Sequence, residues 1–397
     1  IYLGHYEGWY AVRDEAYYAE DELEKGPDGK FTARSGAPVE WVKEPSYFFR
    51  LSAWGDSLLQ FYDAHPDFIA PQSRRNEVTS FVRQGLHDLS ISRTSFRWGV
   101  PVPGDDAHIM YVWLDALTNY ISALGYPEES GLYRRFWPAD LHLVGKDSVR
   151  FHAVYWPAFL LAAGLAPPKR VFAHGWWTVE GEKMSKSLGN AIDPHSLIAT
   201  YGLDQFRYFM VREVPFGNDG DFSAKAMANR INAELANGIG NLGQRTLSFI
   251  GKNCGGRLPT PGALSPDDRT LLAEAESLLG KMRGALDQQA FHTALQHWGD
   301  GVDAANRYID VQAPWTLRKT DAARMNTVLW VLAEVIRHLA IMAQPFVPEA
   351  AAKLLDQLGV SAAARDFACL GEAGQVKPDT PLPPPSGIFP RFVEAAV

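Results

Sequence analysis

Between residues 107 and 190 the hydrophobic positions change repeatedly from strand-like runs to helical spacing. Compact apolar runs predict strands at 108–114, 140–144 and 170–174. Helical spacing predicts helices at 115–124 and 149–164, the second with a kink at Pro157. Strands that alternate with helices favour a parallel sheet, so this stretch predicts half of an α/β domain.

The pattern before this stretch is mixed. An aromatic-rich opening around Trp9 and Tyr10 predicts short strands, and helical spacing predicts a helix over 46–62. A basic stretch follows, comprising Arg74, Arg75, Arg83, Arg93 and Arg97. It fits a solvated surface and a contact with an RNA backbone equally well, because arginines without a defined groove carry little information.

The pattern after residue 192 becomes helical. Two short helices are predicted at 196–200 and 204–211, within a linker over 193–222. Further amphipathic helices are predicted at 231–250, 271–285 and 291–298. Residues 328–342 are apolar on nearly every side and predict a buried central helix, so this region is interpreted as a helical bundle. The proline-rich tail at 381–389 predicts an extended strap.

Polar and aromatic residues follow each predicted strand of the α/β segment. They are Trp113-Leu114-Asp115, Gly145-Lys146-Asp147 and His174-Gly175-Trp176-Trp177. Because ligands bind beyond the carboxyl ends of parallel strands, these groups predict one shared crevice. Soon afterwards comes the sequence GEKMSKSLGN (181–190), in which lysines and serines alternate between glycines. Such a loop suits a polyphosphate whose charge grows as a bond breaks, although a solvated surface loop has a similar composition.

Composition narrows the class of protein. Of the 397 residues, 46% are hydrophobic and the net charge is −8, so the whole chain is not a basic nucleic-acid binder, although a local basic patch is sufficient for phosphate contacts. Only two cysteines occur, Cys254 and Cys369, which excludes a disulfide framework and fits a reducing cytoplasm. No apolar run reaches membrane-spanning length, so we expect no membrane partner and a cytoplasmic location.

Four motifs together resemble one family. They are YVWLDAL (111–117), GKDSVRFH (145–152), HGWWTVEGEKMSKSLGN (174–190) and QAPWTL (312–317). KMSKS (183–187) is a signature of class I aminoacyl-tRNA synthetases in general, and the other three motifs make the chain similar to the bacterial methionyl-tRNA synthetases.

The resemblance implies a fold and a division of the chain. The fold is a Rossmann-type α/β nucleotide-binding half-domain with a mixed connective insertion, followed by an all-α anticodon-binding bundle. The implied domains are the zinc-free insertion at 1–92, the half-domain with the KMSKS loop at 93–192, a stem-contact linker at 193–222 and the bundle at 223–397.

The resemblance also implies a reaction, in which methionine and ATP with Mg²⁺ form methionyl-adenylate before the acyl group passes to tRNA. The catalytic cations would be Lys186 and Lys183. ATP would be bound by Gly145, Asp147, His174, Gly175, Trp177, Lys183, Ser185, Lys186 and Ser187. Methionine would be bound by Trp113, Ala116, Leu117, Tyr120, Ser148 and His152, and the anticodon by Asn241, Arg245 and Trp315. For each aromatic residue, plain core packing is the competing interpretation.

The sequence departs from the family pattern in two respects. Where many relatives carry four zinc ligands, this chain has Ala11, Asp14, Thr32 and Ser35, so we expect no structural zinc. The first class signature, of the His-Ile-Gly-His type, does not occur, so we expect the chain to lack an N-terminal part of the nucleotide domain. In the family that this chain resembles, a domain after the bundle often brings dimerisation. Since no such segment follows the bundle in this sequence, we expect a monomer. The alternatives are another class I synthetase of the leucine, isoleucine, valine or cysteine group, or a non-catalytic tRNA-binding remnant.

Overall fold

The computed structural model describes residues 1–13, 16–18, 20–25, 29–33, 35–128, 130–179, 181–184 and 191–393. The chain divides into two compact units, Ile1–His174 and Gly175–Val397.

The first unit contains most of the described strands. They are β1 (Tyr2–Ala11), β2 (Ala16–Tyr18), β3 (Leu23–Lys25), β4 (Phe31–Ala33), β5 (Glu40–Phe49), β6 (Ile69–Ala70), β7 (Leu89–Ser90), β8 (Ser92–Arg93), β9 (Pro101–Val102), β10 (Asp105–Met110), β11 (His142–Gly145) and β12 (Val171–His174). Its helices are α1 (Gly55–Ala64), α2 (Gln72–Arg83), α3 (Val112–Ser122), α4 (Gly131–Phe136) and α5 (Trp156–Ala162).

The N-terminal part of this unit is an antiparallel sheet in the order β2-β1-β5-β7. β1 and β5 pair along their length, from Tyr2 opposite Phe48 to Tyr10 opposite Glu40. The predicted helix over 46–62 is therefore wrong in its first part: the strand continues to Phe49, a 3-10 turn follows at Leu51–Trp54, and α1 begins only at Gly55. Pairing with β1 outweighs the local helical spacing, since backbone hydrogen bonds to a neighbouring strand satisfy these residues.

The predicted parallel sheet is confirmed for the strands expected at 140–144 and 170–174, and its order is β11-β12-β6. The strand expected at 108–114 does not belong to it, because β10 pairs antiparallel with β8 and β9 in a separate sheet. The hydrophobic core of the parallel sheet includes Val144 from β11, Val171 from β12 and Ile69 from β6, together with Leu58 of α1 and Val78 of α2. Residues from the segment interpreted as an insertion thus share a core with the sheet. The domain boundaries remain predictions.

Two predicted boundaries in this unit are wrong. The strand expected over 108–114 ends at Met110, and α3 begins at Val112, because Tyr111 is the extended residue that starts the helix. The helix expected over 149–164 contains a widened π-helical stretch, Phe151–Tyr155, before α5. Pro157 lies in the first turn of α5, and the carbonyl oxygen of Ala153, four residues earlier, accepts a hydrogen bond from the Tyr62 hydroxyl at 2.5 Å in place of the missing N–H.

The second unit begins with a small sheet of β13 (Trp177–Val179), β14 (Glu182–Lys183) and β15 (Gly220–Asp221). Its helices are α6 (Pro194–Tyr201), α7 (Leu203–Arg212), α8 (Ala224–Arg230), α9 (Asn241–Asn253), α10 (Pro266–Asp287), α11 (Phe291–Gln312), α12 (Pro314–Thr320), α13 (Ala322–Ala343) and α14 (Pro348–Gln357). A π-helical stretch, Ile231–Gly240, joins α8 to α9, which confirms the long helix expected around 231–250.

The predicted helical bundle is confirmed, with α13 at its centre. This helix is long and apolar enough to cross a membrane, so the expectation that no apolar run reaches that length is wrong, but 94% of its most apolar stretch is buried inside the protein. Helices α10 and α11 are longer than expected, because their exposed faces are polar and carry no hydrophobic signal. The tail over 381–389 is extended, and Pro381 forms a bridge with Arg257.

Candidate functional site: an aromatic cluster, two strand ends and a tryptophan corner

An aromatic cluster in the first unit contains most of the residues predicted to bind methionine. We define it by the rings of Trp113, Tyr120, His142, Phe151, His152 and Trp156. The rings of Trp113 and Phe151 stack with centroids 3.8 Å apart and an angle of 13° between their planes. Ala116 lies exposed on the same helix as Trp113, whereas Leu117 is buried against Trp156 and its neighbours. Sequence analysis did not single out His142, Phe151 or Trp156, although Phe151 lies within the GKDSVRFH motif.

One chain of hydrogen bonds crosses this cluster. His152 Nδ1 lies 2.9 Å from the carbonyl oxygen of Ser148, and His152 Nε2 lies 2.9 Å from the hydroxyl oxygen of Tyr120. A carbonyl oxygen only accepts, so Nδ1 carries the proton and the Tyr120 hydroxyl donates to Nε2. Burial lowers the pKa of His152, which favours this neutral form. Ser148 therefore contributes its backbone carbonyl to this chain and fixes the tautomer of His152.

His142 is the least expected member of the cluster. It is buried, its ring lies 4.1 Å from that of Tyr120, and neither ring nitrogen has a hydrogen-bond partner in the described part of the chain. Burial, together with the nearby His152, lowers the pKa of His142 to about 4. The ring is thus neutral at physiological pH, and its protonation is opposed by the fold.

We expect His142 to make the protein sensitive to mild acid. Its pKa is about 4 when folded, against an ordinary 6.5, so the unfolded chain takes up a proton first and stability falls as the pH drops from 6.5 towards 4. Between pH 7 and pH 4.5 this residue should account for about 2 kcal/mol of lost unfolding free energy. Urea unfolding at both pH values measures the loss, and His142→Phe should reduce it by that amount. An unchanged pH dependence in the variant would contradict the assignment.

The ends of β11 and β12 bring together three residues predicted to bind ATP. Gly145 pairs with His174 in the parallel sheet, so the two strands end side by side. Asp147 follows in a 3-10 turn, and a Cβ atom placed on Gly145 would lie only 2.6 Å from Asp147 Oδ1. The carboxylate therefore folds back over the backbone of Gly145. Gly145, Asp147 and His174 form what we call the strand-end group.

The other predicted ATP-binding residues belong to the second unit. Gly175 lies against the backbone of Asn218, where a Cβ atom would come within 2.1 Å of the carbonyl oxygen, so only glycine fits. The ring of Trp177 packs 5.5 Å from that of Phe209, which supports a packing role for at least part of this side chain. The backbone of Lys183 lies in β14. Ser185, Lys186 and Ser187 lie outside the described residues.

A tryptophan corner in the bundle contains two of the predicted anticodon-binding residues. We define it by Arg245, Asp310 and Trp315. The guanidinium group of Arg245 lies 5.4 Å from the centroid of the Trp315 ring and donates to Asp310 Oδ1 at 2.6 Å. A hollow of about 180 Å³ opens between Arg245, Lys252 and Trp315, and 42% of Trp315 is exposed. Asn241 begins α9 four residues before Arg245 and is exposed. The corner offers an aromatic face and a cation to solvent.

The turn that presents Trp315 is held from two other helices. Ala313 ends α11 in the left-handed conformation, with φ of 45°, and Pro314 then starts α12. On α11, Gln312 donates to Asp267 at 3.2 Å and accepts from Arg324 at 2.7 Å.

Arg324 is itself fixed by a buried acid. It donates to Asp268 Oδ1 at 2.7 Å, and Tyr308 donates to the same oxygen at 2.6 Å. Burial alone would raise the pKa of Asp268, but the hydrogen bonds from Arg324 and Tyr308 outweigh it and hold that pKa far below its usual range. Sequence analysis missed both residues, because Asp268 is distant from QAPWTL along the chain and Arg324, although close to the motif in sequence, lies on the next helix, α13.

The described residues contain no group of three or more histidine, cysteine, aspartate or glutamate side chains that would hold a metal ion. Of the four positions where zinc ligands were considered, Ala11, Thr32 and Ser35 offer no thiolate or imidazole, and Asp14 lies outside the described residues. The expected absence of zinc stays a prediction.

Two family models match the chain. Residues 1–247 match the class I tRNA synthetases of the methionine type, "tRNA synthetases class I (M)". Residues 258–394 match the "Anticodon binding domain of methionyl tRNA ligase".

Individual proteins are similar over the same length. A methionine–tRNA ligase of Brucella suis biovar 1 (strain 1330) is 58% identical over 395 residues, which is 100% of this chain and 76% of the relative. One from Mycobacterium tuberculosis (strain H37Rv) is 54% identical over 397 residues, 99% of this chain and 76% of the relative. Among solved structures, Mycobacterium tuberculosis methionyl-tRNA synthetase in complex with methionyl-adenylate superimposes with a TM-score of 0.93 at 54% identity, covering 98% of this chain and 77% of that one. The apo form of the Mycobacterium tuberculosis synthetase gives 0.92 at 51% identity, covering 99% and 78%.

Proposed function

Because the chain belongs to the class I methionyl-tRNA synthetases and thus attaches methionine to tRNA in an ATP-dependent reaction, we propose that its residues divide this reaction among separate clusters. The aromatic cluster binds methionine, the strand-end group and the KMSKS sequence bind ATP, and the tryptophan corner reads the anticodon. The observation that carries the proposal is the hydrogen-bonded pair of Tyr120 and His152 among stacked aromatic rings.

The aromatic cluster suits the side chain of methionine. A thioether is flexible and polarisable, and it packs favourably against the edges of aromatic rings. In this proposal Trp113 and Ala116 line the pocket, while buried Leu117 supports it. Because Tyr120 donates its only hydroxyl proton to His152, its oxygen is oriented but has no proton for the thioether. In this proposal, discrimination against leucine and isoleucine rests on the fit of the unbranched side chain and its polarisable sulfur among the aromatic rings.

The strand-end group suits the nucleoside of ATP. Gly145 ends β11 without a side chain, and the Asp147 carboxylate that lies against its backbone offers acceptors for ribose hydroxyl groups at the end of a parallel strand. His174 and Gly175 follow β12, and the edge of the partly exposed Trp177 ring would border the base.

Adenylate formation requires the methionine carboxylate to attack the α-phosphate of ATP while pyrophosphate leaves. Little covalent chemistry falls to the protein, so positioning and cations supply most of the catalysis. We assign the main cation to Lys186 and an assisting one to Lys183, with Ser185 and Ser187 as hydrogen-bonding groups. The Mg²⁺ ion enters with ATP, and its preferred ligands are phosphate oxygens and water.

The tryptophan corner suits a single-stranded anticodon. Unpaired bases stack on aromatic rings and guanidinium planes and are read along their edges. Trp315 and Arg245 offer both kinds of plane, and Asn241 offers an amide for a base edge. We further propose that the enzyme is a monomer without structural zinc and works in the cytoplasm, away from membranes.

The two alternatives are less well supported. Both family models and the relatives named above are of the methionine type, which disfavours the leucine, isoleucine, valine and cysteine enzymes. The direct test is amino-acid-dependent ATP–pyrophosphate exchange with the full-length gene product, followed by charging of tRNA. Stimulation by methionine alone supports the assignment. Stimulation by another amino acid would replace it, and tRNA binding without any exchange would favour a non-catalytic protein.

Replacing Tyr120 with phenylalanine should weaken methionine binding. The change removes one hydrogen bond and leaves His152 Nε2 without its donor, so KM for methionine should rise about fivefold, while kcat changes by less than about twofold. Steady-state pyrophosphate exchange measures both constants. Tyr126→Phe is the control, because Tyr126 packs against Tyr133 on the neighbouring segment. An unchanged KM in Tyr120→Phe would remove Tyr120 from the proposed pocket.

A further inference from the structure

The turn at Gly181 precedes the KMSKS sequence and is hydrogen-bonded to an aspartate that is distant along the chain. Gly181 has φ of +80°, a conformation that glycine adopts without strain. Its N–H donates to Asp221 Oδ1 at 3.0 Å, and the hydroxyl group of Thr178 donates to the same oxygen at 2.8 Å. One carboxylate oxygen therefore holds both the turn and the strand before it.

The strand pairing around Asp221 connects this contact to Lys183. Thr178 pairs with Asp221 in the parallel ladder of β13 and β15, and with Lys183 in the antiparallel ladder of β13 and β14. β14 contains only Glu182 and Lys183, so few backbone hydrogen bonds secure it. The contact of Asp221 with Gly181 is an additional fixed point immediately before this short strand.

The carboxylate is charged when it makes these contacts. Asp221 is exposed, and its pKa is lowered first by the hydrogen bond from Gly181 and then by that from Thr178. Asp221 belongs to no ion pair among the described residues, and an exposed acid of this kind contributes little to global stability. Its two hydrogen bonds therefore indicate a role other than stabilising the fold.

We propose that Asp221 is a positioning residue for adenylate formation: it fixes the turn at Gly181 and the register of β14, and thereby the starting point of the lysine–serine sequence that binds the polyphosphate. The inference rests on the proposed role of that sequence. In the proposed reaction the cations must meet the departing pyrophosphate within a fraction of an ångström, so a looser starting point lowers the rate more than it lowers substrate affinity.

The test compares Asp221→Ala with the conservative Asp221→Asn in the full-length gene product. Asparagine keeps an oxygen in the same place and can accept both hydrogen bonds, whereas alanine cannot. Single-turnover formation of methionyl-adenylate should be about fivefold to tenfold slower in Asp221→Ala and within about twofold of the parent in Asp221→Asn, with the methionine Kd and the thermal midpoint unchanged. Asp379→Ala is the matched control, because Asp379 is also exposed and accepts hydrogen bonds, from Arg257.

Each other outcome has a definite meaning. A parent-like rate in Asp221→Ala, an equal loss in both Asp221 variants, or a loss matched by Asp379→Ala would overturn the positioning role. Lys186→Ala, measured in parallel, tests the proposed role of the lysine–serine sequence separately from the positioning role of Asp221. If Lys186→Ala is slow and Asp221→Ala is not, only the positioning role fails. If Lys186→Ala retains the parent rate, the proposed role of the lysine–serine sequence fails with it.

Discussion

Replacing Lys186 with alanine should slow the formation of methionyl-adenylate about 100-fold to 1,000-fold and leave methionine affinity close to that of the parent. The reason is that the pyrophosphate group gains charge only as the bond to the α-phosphate breaks, so a cation placed there stabilises the transition state more than the bound substrates. Rapid-quench measurement of the adenylate gives the rate, and equilibrium binding gives the methionine Kd.

Lys169→Ala is the control for this experiment. Lys169 is a largely exposed lysine that pairs with Asp140 at 2.6 Å, so its removal deletes one surface charge without touching the proposed site. A rate loss below about tenfold in Lys186→Ala, or a large rise in the methionine Kd at an unchanged rate, would contradict the proposed role.

Replacing Trp315 with alanine should lower kcat/KM for tRNA charging about 10-fold to 100-fold and leave methionine-dependent pyrophosphate exchange intact. Stacking of one base on an aromatic ring contributes about 1–3 kcal/mol, which corresponds to this range. The exposed face of Trp315 beside Arg245 is the surface that would be lost. Aminoacylation with the cognate tRNA transcript and pyrophosphate exchange are measured on the same preparation.

The conservative variant Trp315→Phe distinguishes recognition from folding. A phenyl ring keeps a stacking face, so we expect it to retain most of the charging activity. If Trp315→Ala loses exchange and charging to the same degree, Trp315 supports the fold and the anticodon is read elsewhere.

The sequence predicts helices and strands best where a single hydrophobic periodicity determines the element. The central helix α13 is apolar on nearly every side and was expected from 328–342, which lies within its observed span, Ala322–Ala343. The helix expected over 46–62 is wrong in its first part, because residues 40–49 form a strand whose partner, β1, is distant along the chain. Local spacing contains no information on such a distant partner.

The candidate site shows the same limit at the level of single side chains. The motifs indicated Tyr120, Ser148 and His152 as pocket residues, but the direction of the hydrogen bond between Tyr120 and His152 depends on the backbone carbonyl of Ser148, whose contact with His152 only the fold shows. His142 is an ordinary residue in a strand by sequence, and only its burial against Tyr120 without a hydrogen-bond partner among the described residues makes it notable. Asp221 was not singled out, because its link to Gly181 spans 40 residues.

The hydrogen bonds that hold the turn before Trp315 have a consequence for protein engineering. QAPWTL forms the end of α11 and the start of α12, yet its glutamine is tied to Asp267 on α10 and to Arg324 on α13. Transplanting the hexapeptide into an unrelated scaffold would therefore transfer the tryptophan without the contacts that fix its orientation. The smallest unit that keeps this orientation is the set of segments that meet at Gln312, so α10, α11 and α13 would have to be transferred or redesigned together.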